Sequence, residues 1–164
     1  MAREFSKISP AVWRSKTFQS VPDDERLLHL YLLTCEHQNS AGSFRLPDGY
    51  ACADLGWDLQ RYVSARSCLE QAELIAFDDE TEEVFIQKWF VHNPPMNQKH
   101  ALGTQRVIER IESDRIREMV EEQFEAADAV RERRQQAREQ TNVRDLPSPS
   151  LSLERRRSDP FSRP

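Results

Sequence analysis

The sequence predicts a mainly α-helical protein with a small β-sheet, and three stretches carry this prediction. Residues 58–72 place apolar side chains at helical spacing, and residues 47–57 fit a short helix just before them. Residues 74–89 contain two apolar runs, LIAF and VFIQKW, held apart by six polar residues, which is typical of a β-hairpin. Helix, tight turn, helix and hairpin is the order of a winged helix-turn-helix domain. We expect a long helical extension and a disordered C-terminal tail to follow it.

The two central helices have recognisable ends. Pro47 is tolerated in a first helical turn, and Gly56 favours a helix end. Asp58 is placed to cap the second helix by accepting a backbone hydrogen bond. On one side of the second helix, apolar residues recur every three or four positions: Tyr62, Ala65, Leu69 and Ala72. Trp57 and Leu74 add a large apolar side chain at each end of the helix.

Upstream, residues 22–38 predict a further helix, because Pro22 and three acidic residues open it and acidic residues suit the N-terminal helix dipole. Its predicted apolar face is Leu27, Leu28, Tyr31, Leu32 and Cys35. The first 21 residues are expected to pack on the core as a strand or irregular arm through Phe5, Ile8, Val12, Trp13 and Phe18. After a turn at Gly42, the piece SFRL is expected to add a third strand to the hairpin.

The sequence changes character at NPPMNQKH, where two prolines are expected to stop the last strand. Residues 98–140 then carry one apolar stripe on one or two long helices, formed by Ile108, Ile111, Ile116, Val120, Phe124 and Ala127. This stripe either packs back on the winged helix or pairs with a second copy, as a homodimer through residues 104–127. Its irregular spacing does not sustain the heptad of a coiled coil. We therefore divide the chain into a winged-helix domain (1–97), a helical extension (98–140) and a disordered tail (141–164) rich in Pro, Ser and Arg.

Composition sets further bounds. The 164 residues are 38% hydrophobic and carry a net charge of −5, which predicts one modest core and no overall basic nucleic-acid binder. Residues 1–97 hold 9 Lys or Arg against 15 Asp or Glu, whereas residues 141–164 hold 5 against 3. The three cysteines fit reduced core thiols better than a disulfide framework. Because no apolar run is long enough to span a membrane and no signal-peptide pattern opens the chain, we expect a cytoplasmic protein.

The helix 58–72 is the candidate DNA-reading element, because the second helix of a helix-turn-helix lies in the major groove. Glutamine pairs with adenine, arginine with guanine, and serine with bases or phosphates. The candidate contacts are Gln60, Ser64, Ser67 and Gln71 on the face opposite Tyr62, Arg61 and Arg66 on its flanks, and Arg45 and Lys88 on the neighbouring strands. The plainer interpretation is that these are ordinary solvent-facing polar residues.

The hairpin tip, DDETEE (residues 78–83), carries five carboxylates. A wing that contacts DNA normally offers Lys or Arg, because neutralising phosphates supplies most of the nonspecific affinity. We therefore expect the tip to point away from DNA or to meet a basic partner surface. The simpler explanation is a solvated turn whose charge only blocks edge-to-edge pairing of strands.

Catalysis finds little support in the sequence. Neither GxxxxGK[ST] nor GxGxxG occurs, and no CxxC pair accompanies Cys35 and His37, so we expect no enzyme activity, no cofactor and no metal. In the tail, a basic run and an aromatic residue (Arg155, Arg156, Arg157 and Phe161) form a candidate contact for a partner or for DNA. Most such tails have no specific role.

Several motifs together carry a family resemblance. DERLLHLYLLT, GSFRLP, LGW, the exit LEQAELI and the aromatic stretch FIQKWF before NP resemble the N-terminal domain of phage replisome organisers and DnaD-like replication proteins, over residues 4–100. The resemblance implies a winged helix that binds origin DNA or self-associates. It also implies helicase-loading or other replication proteins as partners.

The functional expectation is a phage or prophage replication-initiation protein that binds double-stranded DNA through the helix 58–72. The alternative is a winged-helix module for protein interaction or self-association with an acidic working surface, and a second alternative is a transcriptional regulator. Local charge separates the first two. DNA binding is favoured if Arg3, Lys7, Arg14, Lys16, Arg61 and Arg66 gather on one face, and the interaction module is favoured if Asp and Glu surround the helix.

Overall fold

A computed structural model describes the backbone of residues 6–144 and their side chains, except for those of residues 139 and 141–144. The chain is mainly helical with a small antiparallel sheet, as predicted. A 3₁₀-helix (Pro10–Arg14) opens it. The remaining elements are α1 (Lys16–Ser20), α2 (Asp23–Thr34), β1 (Ser43–Arg45), α3 (Asp48–Leu55), α4 (Leu59–Gln71), β2 (Ile75–Asp78), β3 (Glu83–Ile86), α5 (Trp89–His92), α6 (Gln98–Ile108) and α7 (Asp114–Arg144).

The sheet has the strand order β1-β3-β2, and both pairings are antiparallel. The SFRL stretch therefore does add a third strand to the hairpin, with Phe44 opposite Val84. The outer edge of β2 is closed by side chains rather than by a strand. The Phe77 N–H donates to Glu70 (3.0 Å), and the Phe77 carbonyl accepts from Arg115. Satisfying this edge blocks further strand pairing there.

Helices α2, α3 and α4 with the sheet give the winged-helix order. Gly56 ends α3 in the left-handed conformation (φ 66°), and the Asp58 carboxylate caps α4 by accepting the Arg61 N–H at 2.8 Å. Tyr62, Ala65 and Leu69 are fully buried, so the predicted apolar side of α4 is confirmed. The spacing of three and four residues was sufficient to predict this helix.

The packed face of α2 differs from the prediction. Leu28 and Leu32 are buried one helical turn apart, but Leu27 is 48% exposed. The neighbour that turns inward is His29, whose ring lies 6.0 Å from the ring of Phe18. Helical spacing alone placed Leu27 on the wrong side, because the N-terminal arm covers the His29 side of α2.

From residue 10 to residue 20 the N-terminal arm is helical rather than a strand or irregular, and the predicted contact Phe5 lies outside the described residues. The arm forms the 3₁₀-helix and α1, and the hydroxyls of Ser9 and Ser15 accept backbone N–H groups at the start of each. Serine at these positions satisfies donors that a helix start leaves free. Phe18 anchors the arm in the core, while Trp13 is exposed and packs edge-on against Phe18 at 5.6 Å.

The last strand stops earlier than the prolines predicted. β3 ends at Ile86, and the chain turns at Lys88 (φ 59°) into α5. Trp89 lies against Gly42, where an added Cβ would approach the indole ring to 2.3 Å in a backbone of φ +68°. Glycine is therefore required at position 42. The Trp89 indole N–H donates to the Ser40 carbonyl at 2.9 Å, which fixes the ring in place.

The helical extension packs back on the winged helix. Its stripe joins the same core as the sheet, and five members are buried: Ile108, Ile111, Ile116, Val120 and Phe124. A single chain covers this stripe, so a homodimer through 104–127 would need other side chains. α7 also continues to Arg144, which corrects the predicted end of the helix at residue 140.

Candidate functional site

The outward face of α4 is polar and uncharged along most of its length. Gln60, Ser64 and Gln71 are exposed and Ser67 is half-buried, so the helix does present the predicted stripe. Glutamine and serine side chains are able to read base edges, and they are also ordinary interface residues. The charged groups around the stripe decide which partner it suits.

Arg61 is held by a carboxylate from α2. Its Nε and Nη2 donate to the two oxygens of Asp24 at 2.7 and 2.6 Å, and its guanidinium lies 4.4 Å from the ring centroid of Trp57. The hydrogen bonds lower the pKa of Asp24 and raise the pKa of Arg61. A two-point pair of this kind fixes the guanidinium and neutralises its charge locally.

Arg66 lies inside the protein, although the helical wheel predicted an exposed flank. Its side chain is 9% exposed and donates to Asp48 of α3 (2.6 Å) and to Asp79 of the hairpin tip (2.8 Å). The guanidinium also stacks 3.7 Å from the ring centroid of Phe77. Arg66 therefore joins α3, α4 and the wing, and it is withdrawn from any DNA phosphate.

Arg45 and Lys88, the two cations predicted on neighbouring strands, have different surroundings. Arg45 lies on β1 and is exposed, but it donates to Glu82 at 2.7 Å, and this hydrogen bond raises the pKa of Arg45. Lys88 lies two residues beyond β3 rather than on it, with an exposed side chain. Its backbone N–H donates to the Gln123 side chain of α7 at 3.0 Å, which ties this turn to the extension.

The acidic tip is solvent-exposed at Asp79 and Glu80, as the simpler explanation expects, but the carboxylates on either side of the turn contact their own chain. Glu83 is only 6% exposed, and its two oxygens accept the N–H groups of Glu112 (3.0 Å) and Ser113 (2.7 Å) at the start of α7. Asp78 accepts the Ser113 hydroxyl at 2.6 Å, and this hydrogen bond lowers the pKa of Asp78. Backbone and side-chain donors just before α7 thus engage two of the five carboxylates of the tip.

These contacts could not be predicted from local spacing, because each joins residues far apart in the chain. Glu83 and Ser113 are separated by 30 positions, and Asp48 and Arg66 by 18. Local spacing carries no signal for such pairs. One weak signal was Ser113 itself, since serine immediately before a helix is a typical cap, and its hydroxyl accepts the Ile116 N–H at 3.2 Å.

Acidic groups surround α4. Between positions 45 and 86 the chain has ten Asp or Glu and three Arg, and each of those arginines is paired with a carboxylate. Of the cations named as a possible cluster, Lys7, Arg14 and Lys16 belong to the N-terminal arm, and Arg3 lies outside the described residues. Acidic residues therefore outnumber arginines around α4, and Lys7, Arg14 and Lys16 come from a different part of the chain.

The described residues were also compared with what a reactive thiol, a metal site and a membrane-spanning helix require. All three cysteines are free, and burial raises the pKa of each thiol, which disfavours the reactive thiolate. Within residues 6–144, no group of three or more His, Cys, Asp or Glu side chains is arranged to hold a metal ion. No described helix has the length and apolar character needed to cross a membrane.

The predicted tail contacts, Arg155, Arg156, Arg157 and Phe161, lie outside the described residues. Comparisons of the chain with models of protein families, with curated proteins and with solved structures find no match. The resemblance to replisome organisers therefore remains a prediction from sequence motifs.

Proposed function

We propose that the protein is a winged-helix interaction module whose α3–α4 face binds a protein partner with a basic surface. The observation that carries this proposal is the pairing of Arg45, Arg61 and Arg66 with carboxylates of the same chain. DNA binding depends on cations that replace counterions along the phosphates. The stretch between positions 45 and 86, which includes α3 and α4, has ten acids and three arginines held in ion pairs, and its net negative charge disfavours phosphates and favours cationic groups.

Apolar groups on the same two helices support a protein partner. Tyr50 of α3 is 58% exposed and Leu59 of α4 is 56% exposed. Aromatic and aliphatic anchors surrounded by polar groups are typical of protein interfaces, with tyrosine enriched among the residues that dominate binding energy. The polar stripe of α4 would then form hydrogen bonds around those anchors.

The second candidate is the replication-initiation function, with double-stranded DNA bound through α4. The exposed Gln60, Ser64 and Gln71 favour it, because their side chains reach outward along one helix face. For phosphate contact Arg61 would have to leave Asp24. Both candidates place the protein in the cytoplasm, where free thiols remain reduced.

A salt series of fluorescence anisotropy tests the two candidates together. The labelled probes are a random DNA duplex and a lysine-rich amphipathic peptide, each titrated with the full chain at low salt. We expect the peptide to bind and the duplex not to bind, with peptide affinity falling as salt screens the charges. Duplex binding that falls steeply with salt, without peptide binding, would overturn the proposal.

Substitutions locate the binding face. Leu59→Ala should weaken the peptide complex, whereas Leu102→Ala, at an exposed leucine of α6, should leave it unchanged. If DNA binds instead, Gln60→Ala combined with Arg61→Ala should cost about 1 to 3 kcal/mol per lost base contact. Equal effects of Leu59→Ala and Leu102→Ala would show that the α3–α4 face is not the site.

A further inference from the structure

A groove with a volume of ≈ 450 Å³ lies between α5 and the middle of α7. Six of the nine residues that line it are apolar: Phe90, Val91, Pro94, Ala126, Ala127 and Val130. The other three are Lys88, Gln123 and Arg134. None of the nine belongs to α3 or α4, so the groove is separate from the α3–α4 face.

The two walls of the groove are held in place by the core and by one amide side chain. Phe90 of α5 is buried, and its ring packs edge-on against Phe124 of α7, with 5.4 Å between the ring centroids. The Gln123 amide of α7 accepts the Lys88 N–H at 3.0 Å and donates to Gln87 at 2.9 Å. The groove is therefore formed by the chain itself, without a partner.

The apolar lining of the groove is open to solvent. Val91 is 72% exposed and Val130 is 41% exposed. On α7, Gln123, Ala127, Val130 and Arg134 are spaced by four, three and four residues, so they lie on one face of the helix. Exposed apolar side chains that are gathered in one place, with polar groups at the edge, are typical of an interaction site.

The charged groups of the groove are all positive. Its lining contains Lys88 and Arg134 but no Asp or Glu. Among the side chains that the structure describes, neither of these cations pairs with a carboxylate, in contrast to the arginines of β1 and α4. Because Lys88 is bonded to Gln123, and Arg134 lies 11 positions after Gln123, the two cations mark opposite ends of the groove, separated by about 16 Å along the helix axis.

This geometry fits a helical segment better than an extended peptide or a small molecule. Both walls are helices, so the groove has no strand edge to which an extended peptide could add, whereas apolar grooves of this kind bind amphipathic helices. A length of about 16 Å corresponds to about three turns of helix. A small molecule needs most of its surface covered, and the exposed Val91 and Val130 do not provide such cover.

We propose that the α5–α7 groove binds an amphipathic helix of a partner protein, with apolar side chains against Val91 and Val130 and carboxylates at the two ends against Lys88 and Arg134. The apolar contacts supply most of the affinity, and the two cations select an acidic helix over a neutral or a basic one. This partner is opposite in charge to the partner proposed for the α3–α4 face, and the two proposals stand independently.

The test uses two labelled amphipathic peptides, one made of Leu, Ala and Glu, and the other identical except that every Glu is replaced by Gln. Binding of each to the full chain is followed by fluorescence anisotropy across a salt series. We expect the glutamate peptide to bind about threefold or more tightly than the glutamine peptide at low salt, as two exposed ion pairs predict. This preference should shrink as salt screens the charges.

Paired substitutions test the two cations. Lys88→Gln combined with Arg134→Gln should remove the preference for the glutamate peptide and leave the glutamine peptide nearly unaffected. Lys99→Gln combined with Arg106→Gln is the matched control, because it removes the same charge from two exposed positions of α6 outside the groove. The control should retain the preference.

Substitutions of apolar residues locate the binding surface. Val91→Asp should weaken the glutamate peptide about tenfold or more, because it removes an apolar contact and adds a like charge inside the groove. Leu102→Asp, at an exposed leucine of α6, adds the same charge elsewhere and should have a much smaller effect. Ala126→Glu, at an exposed position of α7, is a second groove variant that keeps the experiment decisive if Val91→Asp does not fold.

Three results with the peptides would overturn the proposal: equal affinity for both peptides, binding of neither, or equal losses in Val91→Asp and Leu102→Asp. Analytical ultracentrifugation of the chain alone tests a second copy as the occupant. Self-association that Val91→Asp abolishes would mean that another copy of the chain fills the groove, and this result would overturn the proposal as well.

Discussion

The hairpin tip (78–83) and the distal segment of α7 (132–144) are both rich in charged residues, but their charges have different surroundings. Glu83 of the tip is buried and accepts two backbone N–H groups of another element. In the distal segment every described side chain is exposed, and Glu132 forms an exposed ion pair with its neighbour Arg131, at 3.4 Å. A run of charges therefore does not by itself mark a solvated segment. A charged side chain is buried where the fold places hydrogen-bond donors or opposite charges against it, as it does for Glu83.

Substitutions at a buried and at an exposed position of α7 should show the largest difference in stability. Ile116→Ala should destabilise the protein by about 2 to 5 kcal/mol, because it leaves a cavity in the core beneath the sheet. Val130→Ala, at a partly exposed position further along the same helix, should cost below about 0.5 kcal/mol. Urea unfolding followed by circular dichroism measures both. Similar losses in the two variants would mean that α7 is anchored over its whole length.

The two arginines of α4 provide the next contrast. Arg66→Met should cost about 2 to 3 kcal/mol, since it leaves Asp48 and Asp79 without their partner and removes the stacking on Phe77. Arg61→Met should lower the melting temperature much less than Arg66→Met, because the pair of Arg61 with Asp24 is half-exposed. Thermal unfolding of the two variants side by side checks the order. An equal loss would show that burial is not what distinguishes them.

Two glutamates compare the tip directly with the distal segment. Glu83→Gln should cost about 1 to 3 kcal/mol, because an amide has one acceptor oxygen in place of the two that hold Glu112 and Ser113. Glu132→Gln should change the free energy of unfolding by less than about 0.5 kcal/mol. Amide hydrogen exchange gives a second readout, since only Glu83→Gln should speed exchange at Ser113.

Acid should remove the stabilisation that the ionised Asp78 gives to the folded state. The Ser113 hydroxyl keeps the pKa of Asp78 below its ordinary value of 3.8, so the folded state favours the ionised form. The resulting stabilisation is present at neutral pH and is lost as the pH falls through the ordinary value towards the lowered one. Melting temperatures measured between about pH 5 and pH 2 should therefore fall less steeply in Asp78→Asn than in the unchanged chain. Identical slopes would contradict this role.

Removing the distal segment should have the smallest effect. A chain that ends at residue 136 should lose less than about 0.5 kcal/mol, because the deleted residues 137–140 with described side chains are exposed. The measurement is the urea midpoint of the shortened and the full chain. A large loss would indicate that residues beyond 136 contact the folded part.

Much of the fold followed from local patterns in the sequence. The spacing of Tyr62, Ala65 and Leu69 predicted α4, and Gly56 predicted its boundary with α3, because helix periodicity and helix ends are local properties. The burial of Arg66 was not predictable in this way. It depends on Asp48 and Asp79, which reach it from another helix and from the wing.

The candidate site was predicted less completely than the fold. The polar stripe of α4 was located correctly, since exposure along a helix follows from its apolar face. Its electrostatic character was not, because Asp24 neutralises Arg61 from 37 positions away. The burial of His29 was not predicted either, because it depends on Phe18 of the N-terminal arm, which covers that side of α2.

The contact between Glu83 and the start of α7 has a mechanical consequence. Since the sheet and the first turns of α7 are joined by buried hydrogen bonds, the direction of that helix is set by the winged helix itself. The 13 residues from 132 to 144 then extend by about 20 Å at the α-helical rise of 1.5 Å per residue. The backbone of this segment therefore points outward from the last buried turn of α7 in a direction that the sheet and Ser113 set.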